Sequence, residues 1–367
     1  MHARFMTMMI TALFVALLSA GVSQACTYFF LKAKDGSVIS GRTDEFYDQT
    51  GSKIDVVPRG ISWTSSAPAG ATPVSWTSRY GFVAISMFDK DFYGEGMNEK
   101  GLAAGGLYFE DVKFPIVAKG DKALNIIDAI GWVLGNFQSV AEVKDALEKI
   151  KIWSGSDNPL KLPVLPFHFY VTDAAGDSIV VELIEGNLKI WDNRANGVLT
   201  NEPDLGWHLQ NLRFFSNMNP RSVPLPELND DKWSLGTGML GLPGDYTCSG
   251  RFVRTSLLKF FAEKPIDAAG GVTLALHLIN AVDIPYGPQV WIQGSQGMTQ
   301  WTIWSVIYDQ RNRYFYYRTY ENQNVRRIDF SKLDFSQGAE RKRLDMFGGS
   351  AYQDDTGRFL SGGKQKP

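Results

Sequence analysis

The residue types that could do chemistry here are few. The chain has two cysteines, and one of them, Cys26, stands where a run of small residues meets a β-rich segment in "GVSQACTYFF". Three fates are open to it. Lipid attachment calls for an aliphatic residue three positions earlier, and Ser23 stands there. A Cys26–Cys248 disulfide is the ordinary outcome for two cysteines in an oxidising compartment, and it would suit a secreted, non-catalytic ligand-binding protein. Alternatively, cleavage after Ala25 would make Cys26 the N-terminal residue. Its α-amine, titrating near pH ~8, would then lie within reach of its own thiol and serve as its base.

A cysteine nucleophile of that kind needs a cation to favour thiolate, an acid to hold the amine, and two donors for an oxyanion. Arg42 and Glu45 lie in "SGRTDEF", with Asp44 next door, on a segment that the first hairpin folds back beside Cys26. Other chemistries lack their residues. There are four histidines, and no His-Glu-x-x-His, Cys-x-x-Cys, Gly-x-Ser-x-Gly or Gly-rich phosphate loop occurs. The sequence therefore calls for no metal and no cofactor. His208 and His277 read as core or capping residues.

The elements that must position these groups begin after a leader. Residues 1–25 carry one charge, Arg4, then an apolar run and small residues ending at Ala25. That is a signal peptide, and it places the mature protein in the periplasm or outside the cell. No second apolar run is long enough to span a bilayer, so no membrane association is expected of the mature form. Net charge is −2, with no basic excess to suggest nucleic acid. With 44% hydrophobic residues, the material for a large core is present.

"CTYFFLKAKDGSVISGRTDEF" reads as two strands about an Asp-Gly turn. Ser62 to Gly81 reads as an irregular loop rich in Ser, Pro and Gly, carrying Trp63 and Trp76. Strands follow in "FVAISM" and "GLAAGGLYFE", then helices in "ALNIIDAIGWVLGNF" and "SVAEVKDALEKI". Strands resume in "FHFYVTDAAGDSIVVELIEGNLKIWDN", before helices in "SGRFVRTSLLKFFAEK" and "DAAGGVTLALHLINAV". The last strands surround Gln310-Arg311-Asn312. This order predicts an α+β fold over a single domain, 26–350, with a flexible tail at 351–367.

The opening segment resembles the choloylglycine hydrolase and penicillin V acylase family of N-terminal nucleophile hydrolases. Members begin Cys-Thr and continue to a Gly-Arg-x-x-acid-aromatic motif. "VVPRG", "EGMNEKGLAAGGLYF", "GVLTNEPDLGWHLQNLR" and "GLPGDYTCSGRFVR" match in the same order. The resemblance implies a four-layer αββα sandwich and a cofactor-free amidase acting on linear, non-peptide amides through a thioester. It implies Cys26 as nucleophile, Arg42 beside the thiol, and Glu45 at the register of the acid that holds the α-amine. Asn201 and the backbone N–H of Tyr108 would hold the oxyanion, and Arg251 would stabilise charge near the nucleophile. Tyr108, Trp63 and Trp76 would form an apolar, aromatic acyl pocket. Cys248 would be a free thiol. The small-molecule substrates would be conjugated bile salts, penicillin V or N-acyl homoserine lactones, and relatives suggest a homotetramer.

Overall fold

The computed structural model describes residues 25–222, 238–293 and 296–357. The expected leader, up to Gln24, and the end of the expected tail, from residue 358, lie outside the described residues.

The expected hairpin forms, joining β1 (Cys26–Lys32) to β2 (Val38–Phe46) about Gly36, whose φ of +88° is the left-handed turn conformation glycine tolerates. All nine residues of β2 are buried, polar ones included, because its sheet is covered on both faces. That first sheet runs Val198–Leu199, β1, β2, Gln296–Asp309, Tyr314–Thr319, Arg326–Asp329, with Gln289–Gln293 pairing the long strand off this path. A second sheet runs Asn187–Asp192, Ser178–Ile184, Phe167–Thr172, Ala103–Tyr108, Phe92–Asn98, Phe82–Met87, Lys53–Val57, Lys342–Asp345.

Helices Cys248–Phe261 and Ala268–Asn280 pack on β1, β2 and the long strand, whereas helix Ala129–Asn136 packs on the second sheet. Strand Ala103–Tyr108 touches β1 across the gap between the sheets. The result is the α+β, αββα layering that the sequence implied. Three helices start on a side-chain cap: Thr247 accepts from Gly250 N before Cys248–Phe261, Asp267 from Gly270 N before Ala268–Asn280, and Ser139 from Glu142 N before Val140–Leu147. No helix among the described residues is long and apolar enough to cross a membrane.

Two expectations need correction. The segment Ser62–Gly81 is not irregular. Strand Ser62–Thr64 pairs with Ser75–Thr77, placing Trp63 opposite Trp76 with their rings stacked 6.2 Å apart. Strand Phe92–Asn98 escaped the pattern reading because Gly94 and Gly96 break its apolar run. Those glycines are required by packing, since a Cβ on Gly96 would lie 2.6 Å from Leu134 Cδ1.

Candidate active site

Side chains alternate along β2, and the helix layer fixes which face is which. A Cβ on Gly271 of helix Ala268–Asn280 would lie 2.7 Å from Ile39 Cγ1. Ile39 therefore faces the helices, together with Thr43 and Glu45, and Arg42, Asp44 and Phe46 face the gap between the sheets. Cys26 lies directly opposite Asp44 in the antiparallel register, with Tyr28 opposite Arg42, so these four share the inner face.

Cys26 Sγ is 3.7 Å from Asp44 Oδ1 and 3.6 Å from Arg42 Nη2. The same Asp44 oxygen accepts from Arg42 Nη2 at 2.8 Å. Arg42 also donates to Gly106 O at 2.8 Å, pairs through Nε with Glu95 Oε2 at 3.4 Å, and lies over the Trp304 ring. Gly106 O is open to Arg42 because strand Phe92–Asn98 leaves its neighbour after the Glu95–Gly105 pair. Glu95 in turn accepts from Tyr170 OH. Burial pushes the Glu95 carboxyl up to about 8 against the pull of Arg42. Sequence reading missed Glu95, which lies 53 positions from Arg42 on the other sheet.

The acid beside the thiol is Asp44. Glu45, the residue expected to hold the α-amine, is one position out of phase with Cys26, and its side chain leaves the other face of the sheet. Glu45 Oε1 accepts from Thr302 Oγ1 at 2.7 Å, while Oε2 is buried without a hydrogen-bond partner. Burial raises its carboxyl to about 8, with Arg251 acting in the opposite direction. Glu45 also bears on the sulfur through its backbone N–H, which favours thiolate.

Cys26 N donates to Asn201 Oδ1 at 2.6 Å. Asn201 Nδ2 donates to Tyr108 O at 2.8 Å with one of its two hydrogens. Tyr108 N–H faces the same edge as Tyr108 O, since a strand residue points both groups at one neighbour. Arg251, fully buried, donates through Nη1 to Cys26 O and to Thr27 Oγ1 at 2.7 Å, and through Nη2 to Asn201 Oδ1 at 3.0 Å. His208, held neutral by burial with its value lowered to about 4, donates from Nε2 to Asn201 O at 3.1 Å. It steadies the turn that carries Asn201.

Burial pushes the Cys26 thiol up to about 12 despite Arg42, and the charges of Asp44 and Glu45 add to the rise. While Ala25 remains joined to Cys26, the nitrogen between them is an amide and offers no lone pair to take the thiol proton.

A narrow cavity opens on Cys26, Arg42, Asp44 and Tyr108, with walls of Phe46, Met87, Phe88, Leu160 and Phe167. Trp63 and Trp76 do not line it. Trp63 packs edge-on against Tyr93 and donates to Ser78 Oγ at 3.0 Å, so the pair supports the core instead. Cys26 and Cys248 are both free, which removes the disulfide on which the binding-protein reading relied.

The model of the linear amide C–N hydrolases, choloylglycine hydrolase family, matches residues 26–343. A bile salt hydrolase/transferase of Clostridium perfringens is 30% identical over 84% of this chain and 93% of its own length. A penicillin V acylase of Pectobacterium atrosepticum is 27% identical over 90% of this chain and 87% of its own. The crystal structure of a variant conjugated bile acid hydrolase from Clostridium perfringens superposes with a TM-score of 0.79 at 28% identity, covering 90% of this chain and all of that one.

Proposed function

The chain belongs to the choloylglycine hydrolase family of linear amide C–N hydrolases, and from that premise we propose that Cys26 is its nucleophile and its own α-amine the base. Removing the residues before Cys26 turns the amide nitrogen into an amine. That amine takes the thiol proton, and the thiolate attacks the substrate's carbonyl carbon. Tyr108 N–H and the second hydrogen of Asn201 Nδ2 hold the oxyanion. The ammonium then protonates the leaving nitrogen as the C–N bond breaks, leaving a thioester. Water attacks the thioester, its proton goes to the amine, and the thiolate departs with the acid released.

Arg42 favours the thiolate by charge. The unpartnered Oε2 of Glu45 is the acceptor for the α-ammonium. Arg251 holds Cys26 O and the Asn201 carboxamide in place. The observation that carries the reading is the 2.6 Å bond from Cys26 N to Asn201 Oδ1 at the floor of an apolar-walled cavity.

The substrates are amides of conjugated bile salt, penicillin V or N-acyl homoserine lactone type, cleaved after export to the periplasm or beyond. The narrow aromatic walls favour phenoxyacetyl and fatty acyl groups over a rigid steroid. The test is turnover of glycocholate, penicillin V and a long-chain acyl homoserine lactone by three proteins: one beginning at Cys26, its Cys26→Ser variant, and one retaining Gln24-Ala25. Activity is expected of the first alone. Full activity with Gln24-Ala25 retained would remove the amine from the mechanism, and no turnover by the first would refute the assignment of the nucleophile.

A further inference from the structure

Building on the cysteine-amidase reading above, we propose that Arg42 and Asp44 together select acyl halves that carry a hydroxyl close to the scissile carbonyl, 3-hydroxyacyl amides above all. Both residues line the cavity, and their side chains are only 3% and 6% exposed. Each has a buried polar atom without a hydrogen-bond partner, Nη1 of Arg42 and Oδ2 of Asp44. Their other polar atoms are engaged. Arg42 Nη2 donates to Asp44 Oδ1 and to Gly106 O, both at 2.8 Å, and Nε stands 3.4 Å from Glu95 Oε2. Burial raises the Asp44 carboxyl and the Arg42 guanidinium pulls the other way. Paired at 2.8 Å the two meet as ions, so Oδ2 accepts and Nη1 donates.

One unused donor and one unused acceptor on paired side chains call for a group that is both. A hydroxyl accepts at its oxygen and donates its hydrogen. A ketone or ether oxygen, such as the one a phenoxyacetyl group brings, serves Arg42 and leaves Asp44 unpaired, and a methylene serves neither. Buried polar groups left unpaired cost free energy, which is how a polar site rejects an analogue lacking the matching group. The position on the acyl chain follows from the sulfur, which lies 3.7 Å from Asp44 Oδ1 and 3.6 Å from Arg42 Nη2. When the sulfur attacks the carbonyl carbon, these groups flank the first carbons of the acyl chain. The rest of the chain then lies on the apolar walls, Phe46, Met87, Phe88, Leu160 and Phe167, where nothing else is charged. The α-amine is engaged elsewhere, with Asn201 Oδ1 and, in the reading above, Glu45.

The test gives the protein beginning at Cys26 homoserine lactones that differ only at the third acyl carbon: N-decanoyl, N-(3-oxodecanoyl) and the two enantiomers of N-(3-hydroxydecanoyl). For one hydroxy enantiomer kcat/KM is expected to exceed that for the decanoyl and 3-oxodecanoyl amides by about tenfold or more. Its mirror image should lose that advantage, because Arg42 and Asp44 are fixed while the polarity of the chain is unchanged. Asp44→Asn sets an amide N–H where Oδ2 accepts, and is expected to move the preference from hydroxyl to ketone. Each ratio comes from one protein sample, so partial misfolding of a variant cancels. Calorimetric binding of the same compounds to Cys26→Ala, and to Cys26→Ala with Asp44→Asn, repeats the comparison without turnover. Equal kcat/KM for the two enantiomers, or a hydroxyl preference unchanged by Asp44→Asn in both measurements, overturns the proposal while leaving the amidase intact. No turnover of any amide, the panel above included, overturns the cysteine-amidase reading and the proposal with it.

Discussion

Cys26 N and Asn201 Oδ1 stand 2.6 Å apart although 175 positions separate them in sequence. The nitrogen assigned as base and the side chain assigned to the oxyanion therefore form one hydrogen-bonded unit. Asn201→Ala removes an oxyanion donor and an anchor of the N-terminus together. In the protein beginning at Cys26, kcat is expected to fall by about 10²- to 10³-fold. A single cooperative urea transition like that of the wild type shows that the variant is folded and that the loss lies in the transition state.

Arg251 tests the structural side of the same unit. Its guanidinium satisfies Cys26 O, Thr27 Oγ1, Asn201 Oδ1 and Tyr246 O with no exposed surface. Arg251→Met takes a donor from Cys26 O, Thr27 Oγ1 and Tyr246 O, leaves Asn201 Oδ1 with Cys26 N alone, and removes the cation that lowers the Glu45 carboxyl. A loss on the order of 3 kcal/mol is expected, read as a lower midpoint in urea. Arg251→Lys should recover part of the stability and less of the activity, because one ammonium cannot span all four acceptors.

What the sequence made legible follows local rules. The Asp-Gly turn declared the hairpin, and the hairpin alone carries Arg42 back to Cys26. The choice between Asp44 and Glu45 was not legible, because a strand's parity becomes inside or outside only once something covers one face. Here that is the helix whose Gly271 meets Ile39. Glu95 was hidden for a related reason: its pairing with Arg42 joins two sheets. Trp63 and Trp76 misled because an aromatic residue between turn signals looks available, whereas these two found each other across a short strand pair.

That correction makes a contrast of two truncations informative. Trp63→Ala removes packing against Trp76 and Tyr93, so its melting temperature should fall while kcat/KM changes less than about threefold. Leu160→Ala removes part of the cavity wall from a partly exposed position, so KM for a decanoyl amide should rise about tenfold with little change in melting. The opposite pattern would return the tryptophans to the pocket.

Glu95 predicts a pH dependence whose sign is set by its burial. Its carboxyl rises from an ordinary 4.5 to about 8 in the folded chain, with desolvation outweighing the attraction of Arg42. Between those values the folded state holds a proton that the unfolded chain has released. Unfolding free energy from this group is therefore full below about pH 4.5 and declines as pH rises through about 8. Glu45 contributes in the same direction. His208 and Lys259, both lowered by burial, act oppositely over their own ranges, so the wild-type curve alone does not isolate Glu95. The difference between wild type and Glu95→Gln does, because the amide keeps an acceptor for Tyr170 OH but cannot titrate. Urea unfolding of both proteins at pH 5, 6, 7 and 8 should show the wild type losing its advantage over Glu95→Gln as pH rises. An advantage that grows with pH would mean that Glu95 is folded as an ion, with Arg42 and not burial governing its proton.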